Sequence, residues 1–132
     1  MKACLVGQAP EKEKVESEII KGGRMVYIEL KLKVPRHKVM EIFRIYQEKV
    51  LPWDQGALEK LGGKFIGCWY TEYGDLGEIT QLHAYPDLET REKLLKELHT
   101  NEKFLKESAE YRDLTPFGTM KVLRPAPFSA LQ

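Results

Sequence analysis

The sequence holds only two cysteines, Cys4 and Cys68, and neither belongs to a CxxC or a Cys/His cluster. That excludes a disulfide framework and makes a reduced intracellular chain the simpler reading. No apolar run approaches the roughly 20 residues that span a bilayer. The first apolar stretch, Ala3 to Val6, is shorter than the core of a secretory signal. The segment Glu11 to Glu18 mixes Glu with Lys, whereas mitochondrial transit peptides avoid acids. A cytoplasmic location is therefore expected.

Charge of one sign is also missing. Against 21 Lys and Arg stand 20 Asp and Glu, for a formal +1. Such a balance gives no long-range pull toward phosphate backbones or anionic lipid, so neither a nucleic-acid nor a membrane partner is expected. Phosphate-binding glycine loops and a GxSxG elbow are absent. His37, His83 and His99 show no HxxxH or HxxE spacing that would set two ligands on one helix face. No metal and no cofactor is expected.

What is present is an ordinary globular balance, 42% hydrophobic and 31% charged over 132 residues, enough for one domain with a modest core. Residues 1–23, with Pro10, a mixed-charge run and Gly22-Gly23, form an appendage in which a strand at Ala3–Val6 and a helical turn at Val15–Ile20 are conceivable. From Met25 the pattern sharpens. Val26, Ile28, Leu30 and Leu32 alternate with Tyr27, Glu29 and Lys31, the period of a half-buried strand. Pro35 opens a helix whose stripe is Val39, Phe43, Tyr46 and Val50; Pro52 interrupts it, and a shorter helix follows through Leu58 and Leu61. Lys64–Thr71 and Ile79–Tyr85 read as strands joined at Gly74-Asp75-Leu76-Gly77. Asp87 caps a helix buried at Leu94, Leu95 and Leu98. After a break at Thr100-Asn101, a further helix buries Phe104, Leu105, Ser108 and Tyr111. Met120–Leu123 makes the last strand, and Pro125 and Pro127 impose an extended tail. The order β-α-β-β-α-β predicts an α+β, ferredoxin-like domain over 24–132, with helices on one face of a four-stranded antiparallel sheet.

Parity then assigns the other face. If Val26, Ile28, Leu30 and Leu32 meet the helices, Tyr27, Glu29 and Lys31 point away. The same reasoning sends Leu82 and Ala84 to the helices, and Ile79, Gln81, His83 and Tyr85 outward. Lys64–Thr71 stays ambiguous, since Phe65/Trp69 and Ile66/Cys68/Tyr70 are both apolar. Aromatics left in water mark an interface, and two such sheets packed about a two-fold axis would cover them. A homodimer with a partly polar cavity between the sheets is expected.

Several strings make the sequence similar to the NIPSNAP family: Met25-Val26-Tyr27-Ile28-Glu29-Leu30, Tyr70-Thr71-Glu72-Tyr73-Gly74, Gln81-Leu82-His83-Ala84-Tyr85, and the closing Leu123-Arg124-Pro125-Ala126-Pro127-Phe128-Ser129. The resemblance covers about 24–131 and implies the dimeric α+β-barrel fold. Relatives in that superfamily include cofactor-free monooxygenases, cyclases, isomerases, haem proteins and stress-linked proteins. Ala84 departs from the family, which often has Trp there.

Candidate residues follow from these placements. His83 suits proton transfer near neutral pH, or simply satisfies a neighbour by hydrogen bonding. Glu29 would act as a base or orient His83, against the plainer reading of a salt bridge to Lys31 or Arg124. Tyr27, Trp69, Gln81 and Tyr85 would line a ligand pocket or fill a dimer core, and Arg124 would hold an anion or anchor the tail. Two functions are carried forward. One is a homodimeric protein binding a small, partly apolar molecule. The other is a cofactor-independent enzyme performing proton transfer, cyclisation or oxygen insertion with His83.

Overall fold

The expected alternation becomes strand β1 (Val26–Lys33) in a computed structural model that describes residues 25–132. The appendage over 1–23, with its strand at Ala3–Val6 and turn at Val15–Ile20, lies outside the described residues. Four strands, β1, β2 (Lys64–Tyr70), β3 (Glu78–Tyr85) and β4 (Phe117–Leu123), pair antiparallel in the order β2-β3-β1-β4. That is the split βαβ arrangement: the first and third strands in sequence take the centre, and β2 and β4 the edges. No helix of the described residues is long and apolar enough to cross a membrane.

The first helical segment differs from expectation in an instructive way. A 3-10 turn (Arg36–Lys38) leads into α1 (Val39–Ile45), and α2 (Leu51–Lys60) continues it through Pro52. Between them Tyr46–Val50 winds as a wider π turn. Proline lacks the N–H that an α-helix needs, and its ring crowds the carbonyl four residues earlier. The π turn relieves that conflict, so the helix carries on where the sequence suggested a stop.

Asp87 caps α3 (Leu88–His99) by accepting from the Thr90 amide at 2.6 Å, as expected. Asn101 starts α4 (Glu102–Leu114), its side-chain oxygen accepting from the amides of Lys103 at 3.0 Å and Phe104 at 3.2 Å. The helices pack on one side of the sheet. Val26, Ile28 and Tyr85 meet Leu58, Leu94, Leu98 and Phe104, while Ile79 meets Val39 and Ile42.

Register fixes the faces, and it overturns the expected parity of β3. Ile28 stands opposite His83, Leu30 opposite Gln81, Leu32 opposite Ile79 and Val26 opposite Tyr85. Directly opposed residues share a face. Ile79, Gln81, His83 and Tyr85 therefore lie under the helices, whereas Leu82 and Ala84 join Tyr27 and Glu29 on the open side. A bulge between Phe65 and Gly67 resolves the ambiguity of β2. The extra residue lets Phe65 on one side of it, and Cys68 and Tyr70 on the other, reach the helix face, while Trp69 points the opposite way.

The tail is not simply extended. It turns at Pro127-Phe128, with the Ser129 amide donating to the Ala126 carbonyl at 2.9 Å, and returns so that the Met25 amide meets the Gln132 carbonyl at 3.0 Å. This fold-back, lined by Arg124, Pro125, Ser129 and Leu131, walls a hollow over Tyr27 on the open face.

Candidate functional site

A cavity of about 230 Å³ lies between the helices and the sheet. Its walls come from every layer: Ile28 and Leu30 of β1, Gln81, His83 and Tyr85 of β3, Tyr46 and Asp54 of the first helical segment, Arg91, Leu94 and Leu98 of α3, and Phe104, Ser108 and Tyr111 of α4. Most of the lining is apolar. The polar groups gather as a cluster within it.

The π turn positions one pair of that cluster. Eight residues of regular helix would leave Tyr46 and Asp54 about 80° apart around the axis. The extra residue taken up by the π turn brings them onto one face, and the Tyr46 hydroxyl donates to the Asp54 carboxylate at 2.8 Å. Burial pushes the Asp54 carboxyl up to about 6, with the Tyr46 hydrogen bond pulling against it. Burial and then the nearby Asp54 charge push the Tyr46 phenol up as well. Gln81, buried at mid-strand, donates to the Tyr111 hydroxyl at 3.1 Å. Burial likewise raises the Tyr111 phenol, and it raises the Cys68 thiol to about 11. An unreactive thiol results.

His83 is buried, with its ring 5.1 Å from that of Phe65 and 6.5 Å from that of Tyr85. Burial, and after it the positive charge of Arg91, drives the imidazole down to about 4. At neutral pH it is an uncharged ring. Tyr85 is raised to about 12 by burial, with Arg91 acting in the opposite direction. Arg91 itself is half-buried; its Nε is enclosed and has no hydrogen-bond partner among the described residues.

The sequence-selected residues thus divide. Gln81, His83 and Tyr85 come together in the helix-side cavity. Tyr27 and Arg124 come together in the hollow under the tail, with Leu82 and Leu123. Trp69, half-exposed on the open face, and Glu29 line neither. Glu29 lies across the sheet from His83 and cannot orient it. Instead Lys31 Nζ sits 4.0 Å from Glu29 and 3.7 Å from Glu78. The site residues that sequence reasoning missed are Tyr46, Asp54, Arg91 and Tyr111. Tyr46 and Tyr111 already stood on apolar helical stripes, and a hydroxyl on a buried stripe asks for a buried partner. No group of three metal-ligating side chains forms among the described residues.

A split βαβ sheet with helices on one side and an enclosed polar cluster between the layers defines the class: an α+β domain of the ferredoxin-like type. The sequence profile of the NIPSNAP family matches residues 35–130, and the chain belongs to that family. Among solved structures it is similar to a NIPSNAP family protein of unknown function from Agrobacterium tumefaciens, with TM-score 0.75 and 20% identity, over 83% of this chain and 95% of that one. An uncharacterized NIPSNAP-like domain protein from Burkholderia xenovorans gives TM-score 0.71 and 22% identity, over 80% and 89%. An antibiotic biosynthesis monooxygenase gives TM-score 0.56 and 14% identity, over 77% and 99%. At these identities the likeness is one of fold. No curated protein matches the chain.

Proposed function

We propose that this NIPSNAP-family protein binds a small, partly apolar molecule in the cavity between its helices and its sheet. The observation that carries the reading is the cavity's composition. An apolar enclosure of about 230 Å³ with a few convergent polar groups is what small-molecule sites are built from. The polar cluster is too incompletely paired to be core alone, since Arg91 Nε has no acceptor among the described residues. The expected site between two sheets gives way to one within each protomer.

The homodimer stays part of the proposal on a changed footing. Tyr85 lies under the helices and Tyr27 is buried, so neither needs a second copy. Trp69 at 51% exposure, Phe117 at 71% and Leu123 at 39% remain on the open face. A second open face packed against them would cover them.

One observation favours a second reading, the cofactor-independent enzyme. His83 is neutral at physiological pH and borders the cavity. It would take a proton from a bound substrate and return it at another position, while Arg91 faces the negative charge left behind. The name of one structural neighbour, an antibiotic biosynthesis monooxygenase, supports this reading.

Native mass spectrometry of the purified chain tests the proposal. The expected result is a dimer carrying one small molecule per protomer. Chains that are always empty and always monomeric contradict it. Turnover of the bound molecule that disappears in a folded His83→Ala variant selects the enzyme reading.

A further inference from the structure

We infer that the helix-side cavity is built for a small organic carboxylate, whose oxygen serves as acceptor for Arg91 while its apolar body lies against Leu94, Leu98 and Phe104. The inference rests on the cavity reading above and names its ligand class.

Three observations carry it. The first is the state of the Arg91 side chain. Its Nε is enclosed without an acceptor; the partners the rest of the guanidinium finds are both neutral, the thioether sulfur of Met120 at 3.2 Å from Nη2 and the Tyr85 hydroxyl. Sulfur of that kind is a weak acceptor. No carboxylate of the described residues lies within ion-pair reach of this guanidinium. A planar fork with free donors matches the two oxygens of a carboxylate better than any neutral group.

The second observation is the charge of the lining. Arg91 and Arg112 face a single carboxyl, Asp54. Arg112 is held by neutral acceptors, the Ser108 hydroxyl at 3.1 Å and the Leu105 carbonyl at 2.8 Å. Asp54 is already committed to Tyr46 at 2.8 Å. Of the other titratable lining groups, Tyr46, His83, Tyr85 and Tyr111 carry no charge near neutrality, and the last, His99, adds no negative charge in either protonation state. A positive excess in a largely apolar cavity favours an anion.

The third is the apolar lining. Ile28, Leu30, Leu94, Leu98 and Phe104 offer no hydrogen bond to a fully polar anion such as phosphate, so the molecule that fits has an acid group at one end only.

Calorimetric titration of the full chain with 2-naphthoate and with its neutral analogue 2-naphthamide tests this. The wild type is expected to prefer the acid by about tenfold or more, the scale of one charge-assisted hydrogen bond. Arg91→Gln is expected to bring the two affinities together, and Arg91→Lys to keep part of the preference. Equal affinities in the wild type, or a preference that survives Arg91→Gln, would overturn the inference and leave the cavity reading standing. If neither compound binds, both fall. Should Arg91→Gln lose its native circular dichroism, the wild-type comparison still decides.

Discussion

His83 stands directly across from Ile28, on the central pair of strands β1 and β3. Ile28 is almost wholly enclosed beneath the helices, so the histidine opposite it is enclosed too. From that single pairing follow the imidazole's neutrality and its place in the cavity.

Two groups in the cavity have opposite effects on acid stability. His83 falls from an ordinary 6.5 to about 4, so the unfolded chain binds its proton first, and stability is lost as pH drops from about 6.5 toward 4. Asp54 rises from 3.8 to about 6, so the folded chain binds its proton first, and stability is lost as pH climbs through that window. The wild type is expected to show a shallow profile between pH 4 and 6. Asp54→Asn unmasks His83, and the unfolding free energy from urea titrations should then fall steeply on acidification, by roughly 3 kcal/mol at about 1.4 kcal/mol per unit. An equally shallow profile in the variant would count against the neutral histidine.

Removing the Tyr46 hydroxyl leaves the Asp54 carboxylate without its donor. Tyr46→Phe is expected to cost about 1–3 kcal/mol and to move the Asp54 titration further upward, as read by carboxyl-carbon NMR. A downward or absent shift would mean that the pair is not formed.

The break between α3 and α4 depends on Asn101, whose side chain accepts two amides. Asn101→Ala should lower unfolding stability by about 1 kcal/mol, and Asn101→Asp by much less. Equal losses in both variants would deny the cap.

Gly77 carries a backbone role. Its carbonyl accepts the Val34 amide at 2.8 Å, and a β-carbon built on it would run into the Val34 carbonyl. Gly77→Ala is expected to destabilise the chain by roughly 2 kcal/mol, through strain where β3 begins. A thermal midpoint unchanged from wild type would contradict this close approach.

The dimer has its own check. Sedimentation equilibrium should give a dimer for the wild type and a folded monomer for Trp69→Glu, which sets a charge on the open face. A monomeric wild type would remove the second copy from the account.

Much of the fold was legible in the sequence because its signals are local. The β1 alternation, the Asp87 cap and the break at Thr100-Asn101 each depend on a few adjacent residues. Pro52 misled, because a π turn is a response to a conflict and has no composition of its own. The candidate site was half legible. His83, Gln81 and Tyr85 were selected, yet assigned to the wrong side of the sheet. Polar Gln81 and His83 look outward-facing until Tyr111 is known to wait above Gln81, and the β2 bulge hid the parity that would have corrected this. Asp54 and Arg91 gave no signal, since a charged residue on a helix is ordinarily solvated. Only the packing of α3 and of the π-turned helix over β3 brings them to His83.

The most direct test of the helix-side site is NMR mapping of 2-naphthoate on the wild-type chain. Shifts are expected to concentrate at Gln81, His83, Arg91 and Tyr111, with the His83 imidazole among the most affected. Shifts at Glu29, Leu82, Trp69 and Lys121, with that imidazole unmoved, would place the ligand on the open face and contradict the account.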